Sequence, residues 1–149
     1  MLLNENIPDI DRWDTKILAT DLSTRVLDTA MRGEYAQPKF KDTSKALVYK
    51  YFETVQTKPL KIHKAKPSIK NMIHFGRLNL MKDWPMTGPF DVIFCRNVMI
   101  YFDKPTQNKL VNRYYDLLGK GGMLFLGHSE SLTGTQHKFN YCQPATYMK

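Results

Sequence analysis

The sequence predicts an α/β domain built on a parallel sheet. Short apolar runs at 16–20 (KILAT), 91–95 (DVIFC) and 123–127 (MLFLG) read as buried strands. Helical stripes of apolar residues alternate with them. At 149 residues and 42% hydrophobic content, the chain can bury the core of one domain.

The elements follow in order. The strand at 16–20 ends at Asp21. A helix is predicted from Leu22 to Arg32, with Ser23 as N-cap and Gly33 as stop. It groups Leu22, Val26, Leu27, Ala30 and Met31 on one face. A second helical pattern covers 44–53 (SKALVYKYFE), with Leu47, Val48, Tyr51 and Phe52 together. Then the period changes to two. Leu60 and Ile62 alternate with Lys61 and His63. Beyond Pro67, Ile69, Asn71, Ile73 and Phe75 alternate with Lys70, Met72 and His74. Period two predicts antiparallel strands with one solvated face, so 54–78 reads as a small hairpin insertion.

Gly88-Pro89 punctuates the chain before the 91–95 strand, which is expected to be covered on both faces. Asp103 caps a helix with Pro105 in its first turn. Leu110, Val111, Tyr114, Leu117 and Leu118 form its apolar stripe. Gly119, Gly121 and Gly122 are expected to stop it before the strand at 123–127. Phe139, Tyr141 and Thr146-Tyr147-Met148 predict two final strands.

Composition narrows the function classes. Mean hydropathy is −0.44, and no apolar run approaches the roughly 18 residues of a membrane span. The start, MLLNENIPDID, lacks the pattern of a signal peptide. Cys95 and Cys142 form no CxxC and no disulfide framework. A cytoplasmic protein without membrane insertion is expected. Lys plus Arg number 22 against 14 Asp plus Glu, a net charge of +8. Between Glu53 and Asp83 there is no acidic residue and there are seven basic ones: Lys58, Lys61, Lys64, Lys66, Lys70, Arg77 and Lys82. The segment predicts an acidic partner. Nucleic acid is not expected, because the stretch holds one Phe for base stacking and no RNA-binding motif is present.

In open α/β sheets ligands bind beyond the carboxyl ends of the strands. Asp21, Arg96-Asn97 and His128-Ser129-Glu130 fall there. Asp21 is an acceptor-only group suited to a ribose diol, or else a plain helix cap. Asn79 and Leu80 offer an amide edge and an apolar wall for an adenine, or are ordinary loop residues. Arg96 and Asn97 line a pocket, or pair and cap locally. Tyr101 lines a pocket or fills the core. His128 has no ligand partner at metal spacing, so no metal site is expected. Gly119-Lys120-Gly121-Gly122 is not a phosphate loop, and no Ser-His-Asp or Cys-His set is evident.

Three runs, ILATDLSTRVLDTA (17–30), GPFDVIFCRNVMIYFDKPTQ (88–107) and GKGGMLFLGHSESLTG (119–134), resemble the chemotaxis receptor methyltransferase family, CheR-type. The likeness covers the chain from about Ile17 onward. It implies a Rossmann-like, S-adenosylmethionine-dependent fold that methylates glutamate side chains of chemoreceptors, leaving S-adenosylhomocysteine. It implies that Asp21 holds the ribose hydroxyls and that Asn79 and Leu80 contact the adenosine end. Arg96 and Asn97 would line the cofactor pocket, and Tyr101 would sit catalytically near the methyl group. Residues 54–78 would be the small β-subdomain that in some members docks a receptor's C-terminal peptide, with Lys61, Lys64, Lys66 and Lys70 facing it.

The family also carries an N-terminal helical domain and a Gly-rich cofactor motif on the first strand and helix. Neither is found in residues 1–149, and MLLNEN resembles the tail of that first helix. The chain is therefore expected to be a partial methyltransferase domain, an incomplete Rossmann-like fold lacking its first strand and helix. Alone it is expected to be inactive, to bind the cofactor weakly or not at all, and to form a homodimer or strand-swapped oligomer. The alternative is a non-catalytic receptor-docking fragment.

Overall fold

The computed structural model describes residues 1–149, the side chain of residue 11 excepted. The chain divides into two compact units, Met1–Asn79 and Leu80–Lys149.

The first unit opens with α1 (Leu2–Asn6). Its parallel pair is β1 (Ile17–Asp21) and β5 (Ile73–Arg77), in register from Ile17 opposite Ile73 to Asp21 opposite Arg77. Between them α2 (Thr24–Arg32) starts as predicted. The Ser23 hydroxyl accepts from the Val26 N–H at 3.4 Å. Gly33 closes the helix at φ 67°, a left-handed conformation that glycine adopts without steric cost. Of the predicted stripe only Leu27 is buried, while Leu22, Val26 and Met31 are exposed.

A second sheet lies within the same unit. β2 (Glu34–Ala36), β4 (Ile62–Ala65) and β3 (Phe52–Gln56) pair antiparallel in that order. α3 (Lys45–Tyr51), capped by Ser44, leads directly into β3. Phe40, Val48, Tyr51, Phe52 and Ala65 form its core. Phe40 packs edge-on against Phe52, ring centroids 4.8 Å apart. The antiparallel strand expected over 69–75 is corrected by this arrangement. Pro67–Lys70 is a helical turn, α4, and β5 beyond it pairs parallel with β1. The physical reason is Pro67, whose fixed φ suits a first helical turn and interrupts the alternation. The small sheet instead recruits β2, which lies upstream of 54–78.

The second unit is a four-stranded sheet: β6 (Phe90–Cys95), β7 (Leu118–Leu126), β9 (Thr146–Met148) and β8 (Asn140–Gln143), in that order. β6 and β7 are parallel, with Ile93 opposite Leu124 and Cys95 opposite Leu126. β9 and β8 close the sheet antiparallel, as the two tail strands predicted. α5 (Lys104–Leu117) crosses between β6 and β7 and is capped by Asp103, whose carboxylate accepts from the Thr106 N–H at 3.0 Å. Leu110, Val111 and Tyr114 bury its apolar stripe against Cys95, Leu124, Leu126 and Tyr147.

Two expectations change in this unit. The glycine cluster does not separate helix from strand. β7 starts at Leu118, and residues 119–122 form an irregularity between the Phe90–Leu118 and Val92–Met123 pairs. A Cβ at Gly122 would lie 2.9 Å from the Gly119 carbonyl oxygen, so close backbone approach is what requires glycine there. β6 is also not covered on both faces. Cys95 and Ile93 face the core, whereas Val92 is 42% and Phe94 71% exposed. Phe94 stacks on Phe125 across the strand pair, centroids 5.0 Å apart, and α5 covers only the other face.

Candidate functional site

Parallel register decides which residues meet. In the first unit Asp21 ends β1, and its carbonyl accepts the Leu78 N–H at 3.0 Å just past the end of β5. Asp21 and Asn79 therefore share the carboxyl end of that sheet. The Asp21 carboxylate accepts the Ser23 N–H at 2.8 Å. It thus closes a turn just before the helix, whose N-cap is Ser23 and not Asp21. Leu80 belongs to the second unit. Its carbonyl accepts from Trp84 Nε1 at 3.3 Å, and its side chain packs on the α5 core.

In the second unit β6 and β7 run parallel to Cys95 and Leu126, so the loops leaving them lie side by side. Arg96 and Asn97 leave β6. Asn97 sits at φ 58°, a left-handed position that asparagine tolerates better than most side chains. Met99–Tyr101 then forms a single 3-10 turn. Tyr101 is 79% exposed, a surface residue and not a core one. From the neighbouring loop, Glu130 reaches into this turn and is buried. One carboxylate oxygen accepts the N–H groups of Asn97 and Gly127, each at 2.7 Å. The other accepts those of Val98 at 2.9 Å, Met99 at 2.8 Å and Ile100 at 3.3 Å. Burial pushes the Glu130 pKa up, but the amide donors outweigh it and hold the carboxyl below its ordinary range.

Gly127 makes this possible. A Cβ there would lie 2.6 Å from both Asn97 Oδ1 and Glu130 Oε2. On the opposite side of the turn, the Gln107 amide of α5 donates to the carbonyls of Met99 at 2.9 Å and Phe102 at 3.0 Å. Gln107 is not among the residues singled out from sequence, and Glu130 appears there only within the His128-Ser129-Glu130 cluster, with no role assigned to it. The only signal was a carboxylate three residues beyond a strand-end glycine. His128 lines an open cavity of about 530 Å³ with Ser131, Thr133 and Tyr141. Among the described residues no group of His, Cys, Asp or Glu is placed to hold a metal.

The basic segment is largely engaged within its own unit. Lys64 pairs with Glu34 at 3.1 Å across the β2–β4 ladder. Lys66 Nζ donates to the carbonyls of Tyr49 at 2.8 Å and Lys50 at 3.0 Å, closing the end of α3. Lys70 Nζ reaches the Arg32 carbonyl at 3.4 Å, and Arg77 Nε the Leu22 carbonyl at 3.2 Å. Lys61, half-buried, lines a cavity of about 430 Å³ with Lys41, Lys45 and His63. His63 is buried between Gln37 Oε1 at 2.6 Å and Thr54 Oγ1 at 3.3 Å. Burial, then the nearby Lys61 charge, push its pKa down.

Each unit ends a parallel strand in a polar residue, a carboxylate at the end of β1 in the first and Arg-Asn after β6 in the second, and strand carboxyl ends are where α/β proteins bind ligands. The family comparison is more specific: residues 1–148 match the model described as CheR methyltransferase, SAM binding domain, and the chain belongs to that family. It is 40% identical over 142 residues to a probable chemotaxis protein methyltransferase of Rhizobium etli, covering 95% of this chain and 53% of the relative. It is 42% identical over 138 residues to the chemotaxis protein methyltransferase of Borreliella burgdorferi, covering 92% and 47%. With the Escherichia coli protein of that name it shares 37% over 129 residues, covering 86% and 44%. The chain spans about half the length of these relatives. No helix among the described residues is long and apolar enough to cross a membrane.

Proposed function

We propose that this chain supplies most of the catalytic domain of an S-adenosylmethionine-dependent methyltransferase that esterifies glutamate side chains of chemotaxis receptors. The observation that carries the reading is the placement of Asp21 and of Arg96-Asn97 at carboxyl ends of parallel strands, in a chain of this family. The donor set suits the cofactor. A strand-end carboxylate accepts from a ribose diol, and an arginine and an asparagine at a second strand end suit its polar groups. Asn79 and Leu80 would meet the adenosine end, and exposed Tyr101 would face the reacting groups.

The cofactor supplies an electrophilic sulfonium methyl. The substrate carboxylate, with a reference pKa of about 4.3, is already ionised near neutrality. Its oxygen would take the methyl group by displacement at carbon, with sulfur keeping the bonding pair as the leaving group. No proton moves, so no general base is required. The protein's part is alignment and partial desolvation of the carboxylate.

The cofactor contacts that the family draws from a Gly-rich turn have no counterpart within residues 1–149. The isolated chain is therefore proposed to bind S-adenosylhomocysteine weakly, and micromolar binding in calorimetry would overturn that statement. Receptor docking is proposed at the small antiparallel sheet, whose outer strands β2 and β3 each pair on one side only. A receptor peptide adding to such an edge gains main-chain hydrogen bonds. Labelled-cofactor methylation of receptor by the full-length gene product tests the catalytic reading. Asp21→Ala and Arg96→Ala are expected to reduce it at least about tenfold, a loss of 1.4 kcal/mol or more. Retained receptor binding by a protein that transfers no methyl group would favour the docking-fragment reading instead.

A further inference from the structure

Four consecutive main-chain N–H groups, Asn97 through Ile100, converge on the Glu130 carboxylate, and Gly127 adds a fifth. Such a concave run of donors is an anion-binding shape. Here the anion is the protein's own side chain, supplied from a loop about thirty residues away. The turn is gripped on its other side as well, because the Gln107 amide donates to the Met99 and Phe102 carbonyls. Both sets of main-chain groups between residues 97 and 102 are thereby tied to side chains from β7's exit loop and from α5.

What this grip controls is the direction of the side chains that leave the turn. Tyr101 is 79% exposed, so packing does not hold its ring and the backbone sets its position. Asn97 keeps a left-handed backbone that its Glu130 hydrogen bond helps retain. Gly127 leaves just enough space for Asn97 Oδ1 and the Glu130 carboxylate to meet its backbone.

We propose that Glu130, seconded by Gln107, is a positioning residue for methyl transfer: it holds the 96–101 turn in the one backbone shape that presents Arg96, Asn97 and Tyr101 together. This rests on the reading above that the turn lines the cofactor and substrate pocket. Glu130 itself is buried and bonded to amides, so it acts through the turn and touches neither reactant. Displacing a reacting contact by about 1 Å costs on the order of a hundredfold in rate.

The test uses the full-length gene product and two measurements, initial rates of receptor methylation and S-adenosylhomocysteine affinity by calorimetry. Glu130→Gln is close in shape but replaces one acceptor oxygen with an amide that cannot accept. It is expected to lower methylation about tenfold to a hundredfold at a temperature where circular dichroism shows it folded. Asn97→Ala is expected to weaken the affinity. Because Glu130 acts through the turn, the methylation rate lost by the double variant Glu130→Gln/Asn97→Ala is expected to fall well short of the product of the rate losses of the two single variants. A purely structural role would lower thermal stability and leave the rate and the affinity of the folded protein unchanged. If Glu130→Gln does not fold, Glu130→Asp keeps the charge and withdraws the carboxylate by one methylene, and the same comparison is made with it.

Full activity in a folded Glu130 variant, with Arg96→Ala and Asn97→Ala impaired, overturns the positioning role and leaves the pocket assignment standing. Unimpaired Arg96→Ala and Asn97→Ala variants overturn the pocket assignment, and the positioning role with it.

Discussion

At the scale of single residues, the knot around Glu130 sets the sharpest constraints. Gly127→Ala would place a methyl group 2.6 Å from two oxygen atoms, so backbone or carboxylate must move. Overpacking of this kind costs about 1–3 kcal/mol. Urea denaturation is expected to show a loss of that size, with Gly76→Ala as a contrast, since a Cβ there would meet nothing closer than Leu18 Cδ1 at 3.8 Å. Acid dependence follows from the same carboxylate. Its folded-state pKa lies below the unfolded one, because the amide donors outweigh burial. Its contribution is therefore present above the unfolded pKa and disappears as pH falls through the folded value. Glu130→Gln is expected to destabilise the protein near neutrality and to flatten the acid limb of its stability profile, measured by urea titration at several pH values. An unchanged acid limb would mean that other carboxylates dominate it. Glu130 was legible only as one of three polar residues after a strand. Four of its five donors come from a segment about thirty residues away, and nothing local in GHSE shows that the β6–β7 register brings them together.

At the scale of elements, sequence periodicity located α2, α3, α5, β1, β6, β7 and the two tail strands, missed β2 and β3, and did not show which faces are covered. α2 and α5 show the contrast. Both carry apolar stripes, and both begin at the predicted caps, Ser23 and Asp103. Leu110 and Val111 of α5 are fully buried, whereas Val26 and Met31 of α2 are 50% and 45% exposed. Leu110→Ala is therefore expected to cost about 2–5 kcal/mol by lost burial and cavity formation. Val26→Ala is expected to change stability by no more than about 0.5 kcal/mol, since alanine's helix propensity offsets a half-exposed contact. Thermal unfolding of the two variants decides between them, and equal losses would show that the α2 stripe is covered in solution. The period-two run at 69–75 illustrates a second limit. Alternation marks a strand, but partner and direction depend on what the fold offers. Ile73–Arg77 found β1 and became parallel.

At the scale of the whole molecule, charge and apolar surface oppose each other. The net charge of +8 was legible as a concentration in 54–82. What could not be read was that Lys64, Lys66, Lys70 and Arg77 hold local carboxylates and carbonyls, leaving fewer cations for a partner than their number suggests. The apolar surface is equally specific. Ile17 and Leu18 on β1, and Val92 and Phe94 on β6, are all exposed on strands that pair along one edge only. Strand edges combined with apolar faces favour association, while like charge on every copy resists it. Salt screens the repulsion, with a Debye length of about 8 Å at physiological ionic strength, and leaves apolar attraction intact. The 149-residue chain is therefore expected to self-associate more strongly as salt rises, read as an increase in weight-average mass by sedimentation velocity. Phe94→Lys removes the most exposed of these side chains and is expected to return the chain towards monomer at the same salt. Binding of an acidic receptor peptide should move the opposite way, weakening with salt, because there the charges attract. A mass that falls with added salt would show that charged contacts between copies, and not the open β1 and β6 faces, drive the association.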